Sequence, residues 1–446
     1  MTLRLVGADV EVPLVTGGQV RYLNLDYAAS TPALEVVRTA VDELLPWYSS
    51  VHRGAGYKSI VCTEAYEQAR SSVAAFLTAR PDDAVIFTRN TTDALNMLAH
   101  AVGGQRRVIV FEAEHHANLL PWRGGNTTIL PTPLSPTEAI STLTAELDRL
   151  PAAGGDFLVT VTGASNVTGE LWPVREIIEV SHARGGRVAL DAAQLAPHVA
   201  IDMTELEVDY LALSGHKLYA PYGSGVLVGR PDWLAAGDPF LAGGGAVKFV
   251  TPDEVVWADL PDRQEAGSPN VLGAVALGAA CRALQTEGMA KLAAAEAQLL
   301  VRAEQLLDAI PQVRLYTTWG RTQPRIGVLT FNVAGLHHAQ LAAILSAEYG
   351  IGVRHGCFCA HPLMLHLLEV DLDLAGSIRE DLRLGKHAAI PGAVRCSFGA
   401  TTTAADVERF AEALREIVSH GPRWQYQQSD CSDWFDPVPD PRSRRS

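Results

Sequence analysis

The stretch Asp209-Tyr210-Leu211-Ala212-Leu213-Ser214-Gly215-His216-Lys217 places a short apolar run directly before a polar turn that ends in a lysine. Similar apolar runs occur earlier in the chain, at 84–87, 107–111, 157–162 and 187–190. Helical patterns lie among them, at 92–99 and 175–184. Strands that alternate with helices in this way predict an α/β fold with a mostly parallel sheet, covered on both faces.

The chain changes character after residue 270. A long stretch rich in Ala, Leu and Glu, 271–310, predicts one or two helices. Strand-like runs at 313–317 and 326–333 follow, and further helices are expected at 337–348 and 404–419. We therefore expect a large domain over 20–270 and a smaller α+β domain built from 1–19 and 271–420. The polar, Pro-rich residues 421–446 predict a disordered tail.

Composition narrows the class of protein. The 446 residues are 48% hydrophobic and 19% charged, as in an ordinary globular protein. The net charge of −14 argues against a nucleic-acid or anionic-membrane partner, because a phosphate surface would repel the chain. Neither a secretory signal nor a bilayer-spanning apolar run is evident. The six scattered cysteines do not form a disulfide framework, so we expect a cytoplasmic location.

Polar residues follow the predicted strands, where ligands bind in parallel sheets. Lys217 follows the run 209–213, and a partly desolvated lysine can form a Schiff base. Asp191 follows the run 187–190, and a buried carboxylate there can keep a pyridine nitrogen protonated. Taken one at a time, a solvated loop lysine and a helix N-cap aspartate are the commoner explanations.

Two further clusters also follow strands. Asn90-Thr91-Thr92-Asp93 precedes a predicted helix, whose N-terminal amides and hydroxyls would suit a phosphate. A plain helix cap explains the same residues. In Glu114-His115-His116-Ala117-Asn118, an imidazole can stack on a flat ring or move protons. No helical His-x-x-x-His or Cys-x-x-Cys completes a metal site, so none is predicted.

In their order along the chain, these segments resemble the class V aminotransferase family, and specifically the cysteine desulfurases and selenocysteine lyases of the SufS-like group. The resemblance extends over nearly the whole chain up to residue 420. The segments that carry it are Leu25-Asp26-Tyr27-Ala28-Ala29-Ser30-Thr31-Pro32, His52-Arg53-Gly54, Asn90-Thr91-Thr92, Glu114-His115-His116-Ala117-Asn118, Ser165-Asn166-Val167-Thr168-Gly169, Asp191-Ala192-Ala193-Gln194, Ser214-Gly215-His216-Lys217 and Glu265-Ala266-Gly267-Ser268-Pro269-Asn270.

The resemblance implies pyridoxal 5′-phosphate (PLP) as cofactor, carried on Lys217 in a fold type I enzyme with a seven-stranded sheet. The other implied cofactor contacts are Asp191 at the pyridine nitrogen, Gln194 at the ring hydroxyl, His115 stacked on the ring, and Thr91, Thr92, Ser214 and His216 around the phosphate. A hydroxyl at the position of Ser268 reaches the phosphate of the other subunit in this family, which implies a homodimer. The implied substrate-binding residues are Ala28, Asn166 and Arg395, the last as a bidentate partner of the α-carboxylate.

A loop with two cysteines indicates which reaction the enzyme catalyses. The segment 350–364, which contains Gly356-Cys357-Phe358-Cys359-Ala360, resembles the nucleophile loop of the SufS-like desulfurases, with Cys359 at the nucleophile position. Arg354, His355 and His361 can favour its thiolate electrostatically. The resemblance implies that Cys359 takes sulfur from cysteine as a persulfide, that alanine leaves, and that a sulfur-acceptor protein receives the sulfur.

Some features depart from that group. The Cys-x-Cys pair is unusual, and Cys357 stands where those enzymes commonly carry a histidine. The run Gly356-Cys357-Phe358-Cys359 also resembles the loop of molybdenum-cofactor sulfurases, which share the chemistry. Gly56 replaces a histidine that many relatives carry after His-Arg-Gly, and the segment 366–392 is longer than usual.

Two other functions remain open on the residues alone. One is a different class V reaction that does not use the loop cysteines, such as an isopenicillin N epimerase-like racemisation or cleavage of a thioether amino acid. The other is a catalytically silent homologue that acts as a scaffold. A nicotinamide oxidoreductase is excluded, because no Gly-x-Gly-x-x-Gly follows the first strand.

Overall fold

A computed structural model describes residues 3–52, 54–150, 156–386, 388–429 and 434–442. The chain divides into two compact units. The first unit comprises Met1–Val6, Ser30–Ala164 and Trp172–Leu292, and the second comprises Gly7–Ala29, Ser165–Leu171 and Ala293–Ser446.

The first unit contains a seven-stranded sheet. Its strands, in spatial order, are Ala84–Thr88, Gly225–Gly229, Tyr210–Ser214, Arg187–Asp191, Phe157–Thr162, Arg107–Phe111 and Asn126–Leu130. Only Gly225–Gly229 runs antiparallel to its neighbours. Every residue of the central strands Phe157–Thr162 and Tyr210–Ser214 is buried, as expected for a sheet covered on both faces. The predicted α/β fold with a mostly parallel sheet is confirmed.

Helices pack on this sheet, and some of them also pack on one another. They are Glu35–Leu44, Tyr57–Phe76, Thr91–Val102, His116–Leu119, Pro136–Leu147, Val174–His182, Met203–Leu206, Pro231–Ala235 and Val271–Glu287. Helices Tyr57–Phe76 and Val271–Glu287 pack closely, because a Cβ on Gly278 would lie 2.8 Å from the Cα of Ala69. A hairpin of Val247–Val250 and Val255–Trp257 completes the unit.

The second unit contains a four-stranded antiparallel sheet, with strand order Val313–Tyr316, Val328–Val333, Ala393–Ser397 and Arg354–Gly356. Two smaller pairs join Glu11–Pro13 to Gln19–Arg21 and Leu23–Asn24 to Ile351–Gly352. Its helices are His338–Tyr349, His361–Leu367, Leu372–Arg383 and Ala404–His420, together with most of Met289–Asp308, which begins in the first unit. Its core contains the fully buried rings of Phe331, Phe398 and Phe410.

The boundaries of the two units differ from the predicted ones. Helix Val271–Glu287 belongs to the first unit, because Val271, Ala274 and Val275 pack on Cys62 and Tyr66. Residues 20–29 belong to the second unit, since strand Leu23–Asn24 pairs with Ile351–Gly352. Ser165–Leu171 also belongs to the second unit, because Glu170 forms a β-bridge with Arg325.

Residues 421–446 are predicted to form a disordered tail, but the described residues of this segment form a pair of strands. Strand Tyr426–Gln428 pairs with Phe435–Pro437, and the Tyr426 hydroxyl donates to Glu348 Oε1 at 2.9 Å. Glu348 is buried and also accepts from the backbone N–H groups of Arg423 and Trp424. The polar composition of this segment predicts disorder, but its aromatic residues Tyr426 and Phe435 pack against the second unit. Residues 430–433, and with them Cys431, lie outside the described part.

Candidate active site

Lys217 ends a single helical turn, Gly215–Lys217, that follows strand Tyr210–Ser214 in the first unit. The turn requires glycine at 215, because a Cβ there would lie 2.8 Å from the carbonyl oxygen of Ser224. The carbonyl oxygen of His216 accepts from the N–H of Thr31 at 2.8 Å and from its hydroxyl at 3.0 Å. The backbone that carries the lysine is therefore fixed on both sides.

Asp191 is the last residue of its strand and is 3% exposed. Burial raises the pKa of its carboxyl group, while the Ala193 N–H, at 2.9 Å from Oδ1, and the charge of Lys217 lower it. The lysine and the aspartate therefore lie within electrostatic range of each other. Gln194 is 3% exposed and follows on the same loop.

Glu114 is a buried carboxylate at this site that the sequence reasoning left without a role. It is 0% exposed and accepts from the backbone N–H of Thr162 and from Asn118 Nδ2, both at 2.8 Å. Thr162 pairs with Asp191 across adjacent strands, which brings the two acids close together. Burial raises the pKa of Glu114 to about 8, the two donors oppose this shift, and the charge of Asp191 adds to it.

A cradle of donors forms where helix Thr91–Val102 begins. Ser214 Oγ accepts from the Thr91 N–H at 2.8 Å and bonds to its hydroxyl at 2.7 Å. Asn90 caps the helix by accepting from the Asp93 N–H at 3.0 Å, while Thr92 remains exposed. Hydroxyls and free N–H groups at a helix N-terminus bind anions, so this cradle suits a phosphate.

The two predicted histidines differ in their surroundings. His115 caps the short helix His116–Leu119, and its Nδ1 accepts from the Ala117 N–H at 3.0 Å. That bond identifies a neutral ring with its proton on Nε2. Burial and the charge of Lys217 lower the pKa of His216 to about 4, so this imidazole is neutral at physiological pH.

Ser268 lies apart from these residues, in a cleft of about 530 Å³ that Lys217 and Asp191 do not line. Its side chain is exposed. The loop that carries it is held by Glu265, which accepts from Arg70 at 2.7 Å and from the Phe87 N–H at 2.6 Å. His52 also lines the cleft and bonds to Glu67 at 2.9 Å, whereas Arg53 lies outside the described residues.

In the second unit, Arg395 lies on strand Ala393–Ser397 and is 2% exposed. Its NH1 group donates to the carbonyl oxygen of Asn166 at 2.9 Å, and its NH2 group donates to Asp26 Oδ1 at 3.1 Å. Asn166 Nδ2 donates in turn to the carbonyl oxygen of Phe358 at 2.8 Å. The structure thus brings together Arg395 and Asn166 of the predicted substrate residues, and adds Asp26.

Asp26 was part of a quoted motif but carried no assigned role. Burial raises the pKa of its carboxyl group, and the charges of Arg395 and Arg354 oppose this shift. Ala28, two residues on, is buried, and its N–H donates to Ser397 Oγ at 2.9 Å. That bond ties the predicted substrate residue Ala28 to the strand of Arg395.

The cysteine loop of the same unit turns sharply. Phe358 and Cys359 have φ angles of 53° and 56°, in the left-handed region that residues other than glycine rarely adopt. Cys359 is exposed. Burial lowers the pKa of Arg395, and the charge of Cys359 is among those that oppose this shift. The ring of Phe358 lies 5.1 Å from the guanidinium of Arg395. The loop therefore holds the thiol beside the predicted carboxylate clamp.

The other groups of this loop differ in their surroundings. Cys357 is half-buried, and its thiol donates to the carbonyl oxygen of Pro391 at 3.1 Å. Burial lowers the pKa of His361, which disfavours its charged form. Arg354 lies on the strand paired with that of Arg395.

The described residues show neither a metal centre nor a membrane span. Within them, no group of three or more His, Cys, Asp or Glu side chains is arranged to hold a metal ion. Nor does any helix among them have the length and apolarity to cross a membrane.

The residues of the first unit fit PLP on their own chemistry. The hydroxyls and amides around Thr91, Thr92 and Ser214 suit its phosphate, buried Asp191 suits a protonated ring nitrogen, and Lys217 suits its aldehyde. A lysine, an acid and an anion cradle at the strand ends of such a sheet define a PLP-dependent enzyme of fold type I.

Comparison with known proteins specifies the class. The family model Aminotransferase class-V matches residues 23–410, and the chain belongs to this PLP-dependent family. A cysteine desulfurase of Dickeya dadantii is 37% identical over 78% of this chain and 85% of its own length. A probable cysteine desulfurase of Halalkalibacterium halodurans is 32% identical over 91% and 95%.

Solved structures agree with these relatives. The apo structure of a cysteine desulfurase from Thermococcus onnurineus superposes with a TM-score of 0.77 at 30% identity, over 94% of this chain and 99% of the other. The cysteine desulfurase CsdA of Escherichia coli gives a TM-score of 0.73 at 31% identity, over 89% and 94%. The predicted family and fold type are confirmed.

Proposed function

We propose that this chain is a cysteine desulfurase-like C–S lyase that takes sulfur from cysteine, or a related sulfur amino acid, onto Cys359. One observation carries the proposal. An exposed thiol lies on a strained turn within electrostatic range of the buried Arg395, a side chain suited to an α-carboxylate. The two relatives described above are named cysteine desulfurase and probable cysteine desulfurase, which supports the same reaction.

The residues of the first unit would hold the cofactor, which when bound draws electrons from the substrate Cα. Lys217 would attach it and then move the Cα proton. Asp191 would keep the ring nitrogen protonated, Gln194 would contact the ring hydroxyl, and His115 would stack on the ring. Thr91, Thr92, Ser214 and His216 would hold the phosphate.

The residues of the second unit would hold the substrate and receive its sulfur. Arg395 would bind the α-carboxylate, and Asn166 and Ala28 would line the same site. The Cys359 thiolate would form an S–S bond to the substrate sulfur as the substrate's C–S bond breaks. The bonding electron pair would stay on carbon, and a proton would complete the methyl group of alanine. The persulfide sulfur would then pass to an acceptor protein.

Product analysis tests the function. With L-cysteine and a thiol reductant, the PLP-loaded enzyme is expected to release alanine and sulfide in equal amounts. Mass spectrometry of the loop peptide after cysteine alone should show a mass increase of one sulfur atom on Cys359. Selenocysteine and thioether amino acids serve as comparison substrates. Turnover of a thioether or a racemised product, without alanine from cysteine, would favour the other class V reactions instead.

We further propose that the enzyme is a homodimer in the cytoplasm. The hairpin Val247–Trp257 exposes Phe249, Val250, Val255 and Val256, and Leu241 is exposed in the same unit. Apolar side chains clustered this way are characteristic of an interface. The exposed, firmly held Ser268 would complete the phosphate site of the partner copy. The described cysteines are free thiols, as suits a reducing compartment.

Light scattering after size-exclusion chromatography tests the dimer. The protein is expected to run at twice its chain mass of 47.8 kDa. A Phe249→Glu and Val256→Glu double variant should shift towards the monomer and bind PLP more weakly, since buried charges weaken an apolar interface. Val301→Glu, at a similarly exposed valine of the second unit, is the control and should not change the mass. A monomeric wild-type protein that binds PLP tightly would contradict the proposal.

A further inference from the structure

Arg395 has one donor without an acceptor. Its NH1 and NH2 groups bond to Asn166 and Asp26, but its buried Nε has no hydrogen-bond partner. Buried donors are seldom left unpaired, because each unmade bond costs free energy. The Nε–H and the neighbouring NH2 group form one edge of the guanidinium, which binds a carboxylate in a bidentate manner. Asp26 therefore bonds to the NH2 group, while the Nε donor beside it has no acceptor.

The net charge around this edge favours the binding of one anion. Arg354 and Arg395 face each other across paired strands, and both act on the pKa of Asp26. With the thiol of Cys359 uncharged, two guanidinium groups and one carboxylate leave a single positive charge, which one α-carboxylate would neutralise. With Asp26 uncharged, the same site would carry two positive charges and bind a carboxylate more tightly.

Asp26 is held firmly enough to act on Arg395. The N–H of Leu25 donates to the carbonyl oxygen of Gly352 at 2.8 Å, and the N–H of Ser397 donates to the carbonyl oxygen of Leu25 at 2.7 Å. The N–H of Asp26 donates to Asn24 Oδ1 at 3.0 Å. These bonds fix the backbone of Asp26 relative to the strand that carries Arg395, and the bond from Arg395 NH2 holds its carboxylate.

We propose that Asp26 is a positioning residue for amino-acid binding. Its oxygen orients the Arg395 guanidinium so that the Nε edge meets the α-carboxylate, and its charge limits carboxylate affinity so that the alanine product can leave. The inference rests on the proposed function only in taking the ligand to be an α-amino acid. Charge and orientation are separable, because asparagine keeps the acceptor oxygen and removes the charge, whereas alanine removes both.

The test compares Asp26→Asn, Asp26→Ala and the control Asp9→Asn, an exposed aspartate of the same unit. The dissociation constant of L-alanine is measured on the PLP-loaded enzyme from the change in cofactor absorbance, beside kcat and KM for L-cysteine. For Asp26→Asn we expect alanine to bind roughly fivefold to tenfold more tightly and KM to fall, with kcat changed less than about threefold. For Asp26→Ala we expect KM to rise about tenfold or more, because the guanidinium loses its orientation.

Weaker alanine binding by Asp26→Asn would overturn the charge role, and unchanged binding by Asp26→Ala would overturn the inference as a whole. Thermal unfolding of each variant identifies a loss of folding, and the asparagine variant keeps the test valid if the alanine variant unfolds. If wild type binds alanine but releases no sulfide from cysteine, the proposed function fails. The alanine titrations of the variants would then still decide the role of Asp26.

Discussion

The Lys217→Ala variant is expected to lose the yellow absorbance of a lysine-bound cofactor and to lose turnover by about 10⁴-fold or more. Lys217 is the proposed attachment point and also the proposed base for the Cα proton, so no second group replaces both functions. Its backbone turn is fixed by Gly215 and by the bonds to Thr31, which do not involve the lysine side chain. The variant should therefore fold normally. Absorbance spectra after addition of PLP, and initial rates with cysteine, measure the two losses.

Lys291→Ala is the matched control, because Lys291 is an exposed lysine near the start of helix Met289–Asp308 that pairs with Glu287, the last residue of helix Val271–Glu287. It should keep the full absorbance and rate. Persistence of the absorbance in Lys217→Ala would show that another lysine carries the cofactor. A wild-type protein that stays colourless in excess PLP would instead support the catalytically silent scaffold.

The core strands were predictable because burial on both faces demands continuous apolar runs. Strand Phe157–Thr162, with all its residues buried, is one example. Two strands of the same sheet escaped prediction. Asn126–Leu130 lies at the edge and is fully buried only at Leu130, so its other residues need not be apolar. Gly225–Gly229 begins and ends with glycine, which is typical of a turn. At 225 the glycine permits close approach, since a Cβ would lie 2.6 Å from the carbonyl oxygen of Leu213.

The division into units was harder to predict, because it depends on contacts between residues distant in the chain. The segment Ser165–Leu171 belongs to the second unit through the Glu170–Arg325 bridge and a bond from Thr330 to the carbonyl oxygen of Val167. Neither contact leaves a periodic pattern in the sequence. The strand pairing after residue 421 escaped for a similar reason, since it depends on the buried acceptor Glu348.

Sequence reasoning found the residues whose position after a strand marks them, and the family resemblance supplied their roles. It left Glu114 and Asp26 without roles, because each is bonded to a residue far away in the sequence. Glu114 accepts from the backbone of a residue 48 positions on, and Asp26 pairs with an arginine 369 positions on. The charge expected of His361 also depends on burial, which the sequence does not show.

The Cys359→Ser variant is expected to bind cysteine but to release sulfide and alanine about 10³-fold more slowly, or not at all. Serine keeps the size of the side chain, and its hydroxyl does not ionise at neutral pH to attack sulfur. Since Cys359 is exposed, the substitution leaves no buried cavity. Cysteine should still change the cofactor absorbance, because the proposed ligands of its carboxylate and amine are intact. The persulfide mass should be absent from the loop peptide.

Cys357→Ser is the control from the same loop. Its Sγ donates to the carbonyl oxygen of Pro391, a bond that a serine hydroxyl can also make. Because Cys357 is half-buried and already bonded, whereas Cys359 is exposed, we expect Cys357→Ser to keep at least about half of the wild-type rate, a change of only a few tenths of a kcal/mol. If Cys359→Ser desulfurates at the wild-type rate while Cys357→Ser does not, the nucleophile is Cys357. If the double variant turns over a non-cysteine amino acid at the full wild-type rate, neither thiol is catalytic, and the enzyme performs a different class V reaction.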